Sequence, residues 1–155
     1  MKAKRIKIIS GGQTGADRGA LEAAFSLGIR TGGYCPKGYR TENGNDIALK
    51  KFGLIETSSH DYSVRTSKNI RISDGTVLFC KTDKKGKITG AGTKLTLKLS
   101  KKYKKPFIIN PGPKTLSRWV RENKIKILNS AGSRESQYPG IYQKVRRVMR
   151  SFMQI

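Results

Sequence analysis

A chain of 155 residues, 35% hydrophobic and 28% charged, has the size and composition of one folded domain and excludes a disordered basic tail. Its 33 Lys+Arg against 10 Asp+Glu leave a net charge of +23, which favours phosphates, nucleotides, nucleic acid or acidic surfaces without choosing among them. One histidine, His60, and two cysteines without metal-ligand spacing leave no material for a histidine-rich metal site or a Ser-His-Asp triad. The basic opening Met1 to Arg5 precedes an apolar run too short for a signal peptide or membrane span, so cytoplasmic residence and reduced Cys35 and Cys80 are expected.

In chain order, Ile6 to Ser10 reads as a buried strand. Gly15 to Leu27 reads as a helix with Ala20, Leu21, Ala24 and Phe25 on its inner face and Gly28 as its stop. The glycine-rich stretch Thr31 to Asn45 reads as a long functional loop, and His60 as part of a polar one. Phe52 to Glu56 is expected as a strand, Tyr62 to Ser73 as a helix and Thr76 to Cys80 as a buried strand. A helix over Thr93 to Tyr103, a strand over Pro106 to Asn110 and a helix opening near Pro113 follow. A strand over Ile125 to Asn129 and a helix over Ser136 to Phe152 complete the chain. Alternating strands and helices predict an α/β fold, a Rossmann-like three-layer sandwich with a mainly parallel sheet and helices on both faces. Ligands in such sheets bind beyond the carboxyl ends of the strands, so the polar motifs are expected to gather there.

The first motif, Gly11-Gly12-Gln13-Thr14-Gly15, follows a strand and opens a helix. Such a turn lets backbone N–H groups converge on a phosphate at the helix's positive end. It lacks the Lys-Ser/Thr pair of a Walker A loop, which argues against ATP hydrolysis, and imitates the dinucleotide fingerprint only loosely. Asp17 in the first turn either complements the helix dipole or touches the ligand. Lys37 and Arg40 around Gly38 offer an anion clamp, with Glu42 to orient a ligand hydroxyl or pair with the basic residues; Arg65 and Asn69 share a helix face, and Gly92-Thr93 opens a second helix, with Thr96 one turn later. Ser133 and Ser136 are candidate caps for the last helix. Arg134 and Glu135 are candidates for the site or for a subunit contact.

Taken together, "SGGQTGADRGALEAA", "GGYCPKGYRTENG", "YSVRTSKNI", "SDGTVLF" and "AGSRESQYPGI" resemble the molybdenum carrier, or molybdenum-cofactor carrier, proteins. These are a circularly permuted branch of the Rossmann-like superfamily that holds the lonely-guy phosphoribohydrolases. The resemblance runs from about Lys7 to Ile141, with Ala91 and Ser133 standing where that family has glycine and proline. It implies a pocket for molybdenum cofactor (molybdopterin) or a nucleotide-like ligand. The implied contacts are Gly11, Gly12, Gln13, Thr14, Gly15, Asp17, Arg18, Lys37, Gly38, Glu42, Arg65, Thr66, Asn69, Ser73, Asp74, Gly75, Gly92 and Thr93. It further implies a phosphorylated small-molecule ligand, a molybdoenzyme or insertase as transfer partner, and a homodimer or homotetramer.

The leading expectation is therefore a carrier that binds and hands on its ligand, with no metal held by the protein's own side chains. An enzyme alternative is a nucleotide N-glycosidase using Asp17, Glu42 and Arg65, although Thr96 stands where that superfamily's loop carries a glutamate. Nucleic-acid binding driven by charge is a third possibility and is less favoured, since no known nucleic-acid motif accompanies the charge.

Overall fold

The computed structural model describes residues 5–155. Strand β1 (Lys7–Ile9) leads through the first glycine turn into α1 (Ala16–Ser26), which returns the chain to β2 (Arg30–Cys35). A small hairpin of β3 (Arg40–Thr41) and β4 (Gly44–Asn45), then a 3-10 turn at Ile47–Phe52, precede β5 (Leu54–Glu56). The second half runs α2 (Tyr62–Ile72), β6 (Gly75–Phe79), α3 (Ala91–Lys102), β7 (Phe107–Ile109), α4 (Pro113–Glu122), β8 (Ile127–Gly132) and α5 (Ile141–Met153). Six strands form one sheet in the order β5-β2-β1-β8-β6-β7, and every pairing in it is parallel. Helices α1, α4 and α5 pack together on one side, and α2 packs with α3 on the other. This is the expected Rossmann-like sandwich.

Side-chain size explains how the first layer closes. Ala16, Ala20, Ala23 and Ala24 give α1 a shallow, fully buried face. A Cβ on Gly19 would come within 2.5 Å of the Tyr142 carbonyl oxygen, so α5 is drawn against α1 at a distance only small residues permit. Ile8, Val77, Leu128, Val145 and Met149 fill the main core between sheet and helices, and Leu21, Leu49, Phe52 and Leu54 make a second cluster under the β2–β5 edge. The Gly28 and Ile29 amides donate back to the Phe25 and Ala24 carbonyls, the pattern of a glycine-terminated helix, as the sequence predicts. Phe25 departs from the expected inner face: it is 49% exposed and stacks edge-on against Phe52 at 5.4 Å.

The largest departure is at residues 31–45, read as loop and found to contain most of a strand of the central sheet, β2. Gly32 and Gly33 resemble a turn by composition, yet they sit mid-sheet because β2 passes close to the end of β1. A Cβ on Gly33, at φ 119°, would strike the backbone of Ser10. Beyond Gly32, where β1 turns away, Asn69 of α2 takes the strand's place. Its Oδ1 accepts from the Tyr34 amide at 2.8 Å and its Nδ2 donates to the Tyr34 carbonyl at 2.9 Å. At the other end of the chain β8 runs on to Gly132, three residues past its expected limit, and α5 begins at Ile141 after the left-handed Gly140.

Candidate functional site

Helices departing from neighbouring strands leave on opposite faces at β8 and β6: α5 follows β8 into the α1 layer, while α3 follows β6 into the other. A crevice opens at such a divide, outside the carboxyl ends of the strands. Its floor comes from the first glycine turn (Gln13, Asp17) and the end of β8 (Ala131, Gly132). Its walls come from α2 (Tyr62, Arg65, Thr66), from the start of α3 (Ala91, Gly92, Thr93, Leu95, Thr96), and from Arg134 and Gln137. The enclosed volume is about 140 Å³, below the roughly 300–1,000 Å³ of a site that swallows a drug-sized ligand. It has room for one small group, not for a whole cofactor.

The crevice is rich in positive charge. Three guanidinium groups converge on the Tyr62 ring, Arg40 at 4.7 Å, Arg134 at 5.3 Å and Arg65 at 5.5 Å from its centroid. The only ion pair in this group is Arg134 with Glu42, at 3.7 Å. Helix α3 begins at the crevice with Gly90 and has no side-chain cap, so its first amides and its positive end stay open. Arg65 Nε and Gln13 Nε2 are buried without hydrogen-bond partners, each a donor whose neglect costs about 1–3 kcal/mol.

Asp17 lies at the crevice floor, 3% exposed, and its Oδ2 accepts from the Gln13 amide at 3.1 Å. Burial pushes its carboxyl above the ordinary value, although the charge of Arg65, the Gln13 amide and the charge of Arg134 pull the other way. Glu42 behaves oppositely. Burial pushes it up, but hydrogen bonds from Ser136 and Thr14 and the charge of Arg134 outweigh this and hold it low. It accepts from Ser136 Oγ at 2.7 Å and thereby fixes the loop that carries Arg134.

The first glycine turn works differently from a phosphate cradle. A Cβ on Gly11 would run into the Arg65 guanidinium, whose Nε would lie 2.7 Å away, so Gly11 is the seat of Arg65. Gly12 gives way to Leu49 and Leu54. Gly15 lets the Ser133–Glu135 loop pass: the Ala16 amide donates to the Ser133 carbonyl at 3.0 Å and the Glu135 amide to Thr14 Oγ1 at 3.2 Å. Gln13 Oε1 accepts from the Thr14 and Glu42 amides at 3.0 and 2.9 Å, tying the turn to the β3–β4 hairpin.

Of the residues singled out in the sequence, Gln13, Asp17, Arg65, Thr66, Gly92, Thr93, Thr96 and Arg134 line the crevice. Gly11, Gly12, Thr14, Gly15, Glu42 and Asn69 shape it from behind. Arg18 does not reach it: the side chain points from the far side of α1, pairs with Glu22 at 3.1 Å and Asp46 at 2.7 Å, and lies over Phe52. Lys37 and Gly38 stand outside the crevice, the Lys37 amide donating to the Ser59 carbonyl beyond β2. Ser73, Asp74 and Gly75 lie at the opposite edge, because they lead into the start of β6 rather than follow its end; Asp74 Oδ2 accepts from the Lys126 and Ile127 amides at 2.9 and 2.8 Å and starts β8. Tyr62 and Gln137 line the crevice without having been foreseen. The one available signal was that Tyr62 and Arg65 are three apart on a helix and share a face.

A larger cavity, about 720 Å³, opens at the sheet's amino edge among Ile6, Val120, Ile125, Phe152 and Ile155. It borders Arg5, the first described residue, and no crevice motif reaches it. Among the described residues no helix is long and apolar enough to cross a membrane, and no cluster of three His, Cys, Asp or Glu side chains is placed to hold a metal ion.

Comparison with known proteins agrees with the architecture. The sequence matches the circularly permuted YpsA SLOG family over residues 8–153. The crystal structure of the "Putative molybdenum carrier protein" from Syntrophus aciditrophicus SB superimposes with a TM-score of 0.83 at 36% identity, covering 94% of this chain and 93% of that one. Among curated proteins none matches. With the family match spanning nearly all of the described chain and the same fold in a 36% identical structure, the protein belongs to the circularly permuted YpsA SLOG family.

Proposed function

We propose that the protein is a binding and carrier protein for molybdenum cofactor or a related phosphorylated pterin or nucleotide, with the ligand's anionic group in the crevice. The observation that carries this reading is the convergence of Arg65 and Arg134 on one tyrosine ring beside the open start of α3. Like charges so placed repel one another, and a bound oxyanion relieves that repulsion while accepting from the α3 amides. The neighbour's name supports the molybdenum-related choice within this class. The reading includes a cytoplasmic protein that acts as a homodimer or homotetramer and passes its ligand to a molybdoenzyme or insertase.

Native mass spectrometry of the full chain, incubated with molybdate, molybdopterin and nucleoside monophosphates, tests it. Retention of at least one of these by the wild type and its loss in Arg65→Ala is expected. Retention of none would overturn the reading. The buried Asp17 carboxyl beside Arg65 supports a second reading, N-glycosidase action on nucleoside monophosphates, in which a carboxylate stabilises charge developing at the ribose. Release of free base, abolished in Asp17→Asn, would favour that enzyme over the carrier.

A further inference from the structure

We propose that the outer face built by α2, α3 and the Thr82–Ile88 hairpin is a nucleic-acid interface that grips a phosphate backbone without reading sequence. It is independent of what the crevice holds. From Lys84 to Lys105, just past the end of α3, the chain has nine basic residues and no acidic one. Helix α3 turns Thr93, Thr96 and Ser100 inward, which leaves Lys94, Lys98, Lys101 and Lys102 exposed in a single stripe, three and four residues apart. Neighbouring α2 adds exposed Lys68 and Arg71 and likewise contains no Asp or Glu. The hairpin adds exposed Lys84, Lys85 and Lys87. Its one acid, Asp83, is spent on the Lys85 and Lys87 amides at 2.8 and 2.9 Å.

Several acids elsewhere are already engaged. Asp61 caps α2, Asp74 takes the amides that start β8, and Glu135 takes those of Gly140 and Tyr142. The ion pairs among the described residues use only Arg18 and Arg134 as cations. A merely solvated surface intersperses both signs, and this one does not. An anionic bilayer fits the face less well. The α3 stripe carries no apolar group between its lysines, while Leu95, Leu97 and Leu99 are half-buried beside it, and a membrane-surface helix needs an apolar face to sink.

The dimensions match a duplex. Twelve residues of α3 span about 18 Å at ~1.5 Å per residue, alongside roughly ten phosphate charges of a duplex. With about five lysine contacts, log K against log salt slopes at about −4.5, so affinity falls several hundredfold between about 50 and 200 mM salt.

Fluorescence anisotropy with a labelled duplex DNA and a labelled single-stranded RNA, each in two unrelated sequences, tests the proposal. The decisive comparison is between Lys94→Glu, Lys98→Glu, Lys101→Glu, Lys102→Glu together and a matched reversal of Lys50, Lys114, Lys144 and Arg147 elsewhere on the surface. At low salt the α3 variant is expected to lose about a hundredfold or more, with a salt slope shallower by about 3 to 4, and the matched variant no more than about tenfold. Circular dichroism confirms folding of both, and the corresponding Gln variants replace any that fail. Equal losses in the two variants, salt-insensitive or absent binding, or tighter binding to phosphatidylserine vesicles than to either nucleic acid would overturn it.

Discussion

Gly11→Ala separates the site from the fold. The new methyl group meets the Arg65 guanidinium, with Nε at 2.7 Å, and no backbone atom among its closest contacts. The guanidinium is the far end of a long side chain, so it swings aside instead of breaking the turn. The stability cost is an altered rotamer and a weakened contact with the Tyr62 ring, about 1 kcal/mol in all. The binding cost is larger. Arg65 leaves the crevice wall, and a hydrogen bond between charged groups is worth about 1.5–3 kcal/mol, or roughly a tenfold to hundredfold rise in Kd. Urea unfolding measures the first quantity and isothermal titration with molybdate or a nucleoside monophosphate the second. Unchanged affinity, or a stability loss above about 3 kcal/mol, would refute the assignment of Gly11 as the seat of a ligand-binding arginine.

Gly15→Ala is expected to damage both fold and site. Gly15 has φ 79°, and the added Cβ would lie 2.5 Å from the Ser133 carbonyl and 2.6 Å from the Glu135 amide, both backbone; strain plus two weakened hydrogen bonds cost about 3 kcal/mol in a urea titration. Asp17→Asn removes a carboxyl that folding holds above its ordinary value. Its contribution to stability is therefore fully present below about pH 3.8 and is lost as pH rises through the raised value, so the variant gains in Tm relative to the wild type at neutral pH and not in acid. Cys35, pushed by burial to about 11, and the buried Cys80 are expected to ignore a thiol reagent at neutral pH until the chain is unfolded, which a colorimetric thiol assay reads directly.

The fold was legible wherever apolar runs and caps act locally. β6 reads as a run of buried residues, and Gly28 stops α1 by chemistry that needs nothing distant. β2 was hidden because its glycines answer to Ser10 and Asn69, which lie elsewhere in sequence. The site was half legible for a related reason. Strand-end glycines and the start of α3 announced a crevice, and Asp17, Arg65 and Thr93 fell into it. Asp74 fell elsewhere because a polar Ser-Asp-Gly turn looks the same before a strand as after one, and Arg18 because a helix of 3.6 residues per turn swings it about 100° from Asp17, onto the face it shares with Glu22 and toward Asp46. Glycine chemistry also misled in part: Gly11 and Gly15 make room for Arg65 and the Ser133–Glu135 loop, a role visible only once those partners are in place.

A crystal structure of the protein grown with molybdate or a nucleoside monophosphate tests the crevice most directly. The anion's oxygens are expected within hydrogen-bonding distance of the Arg65 guanidinium and the amides that open α3, with Arg134 closing over them. An anion bound instead beside Lys37 and Gly38, or in the cavity at the sheet's amino edge, with the crevice left to water, would contradict it.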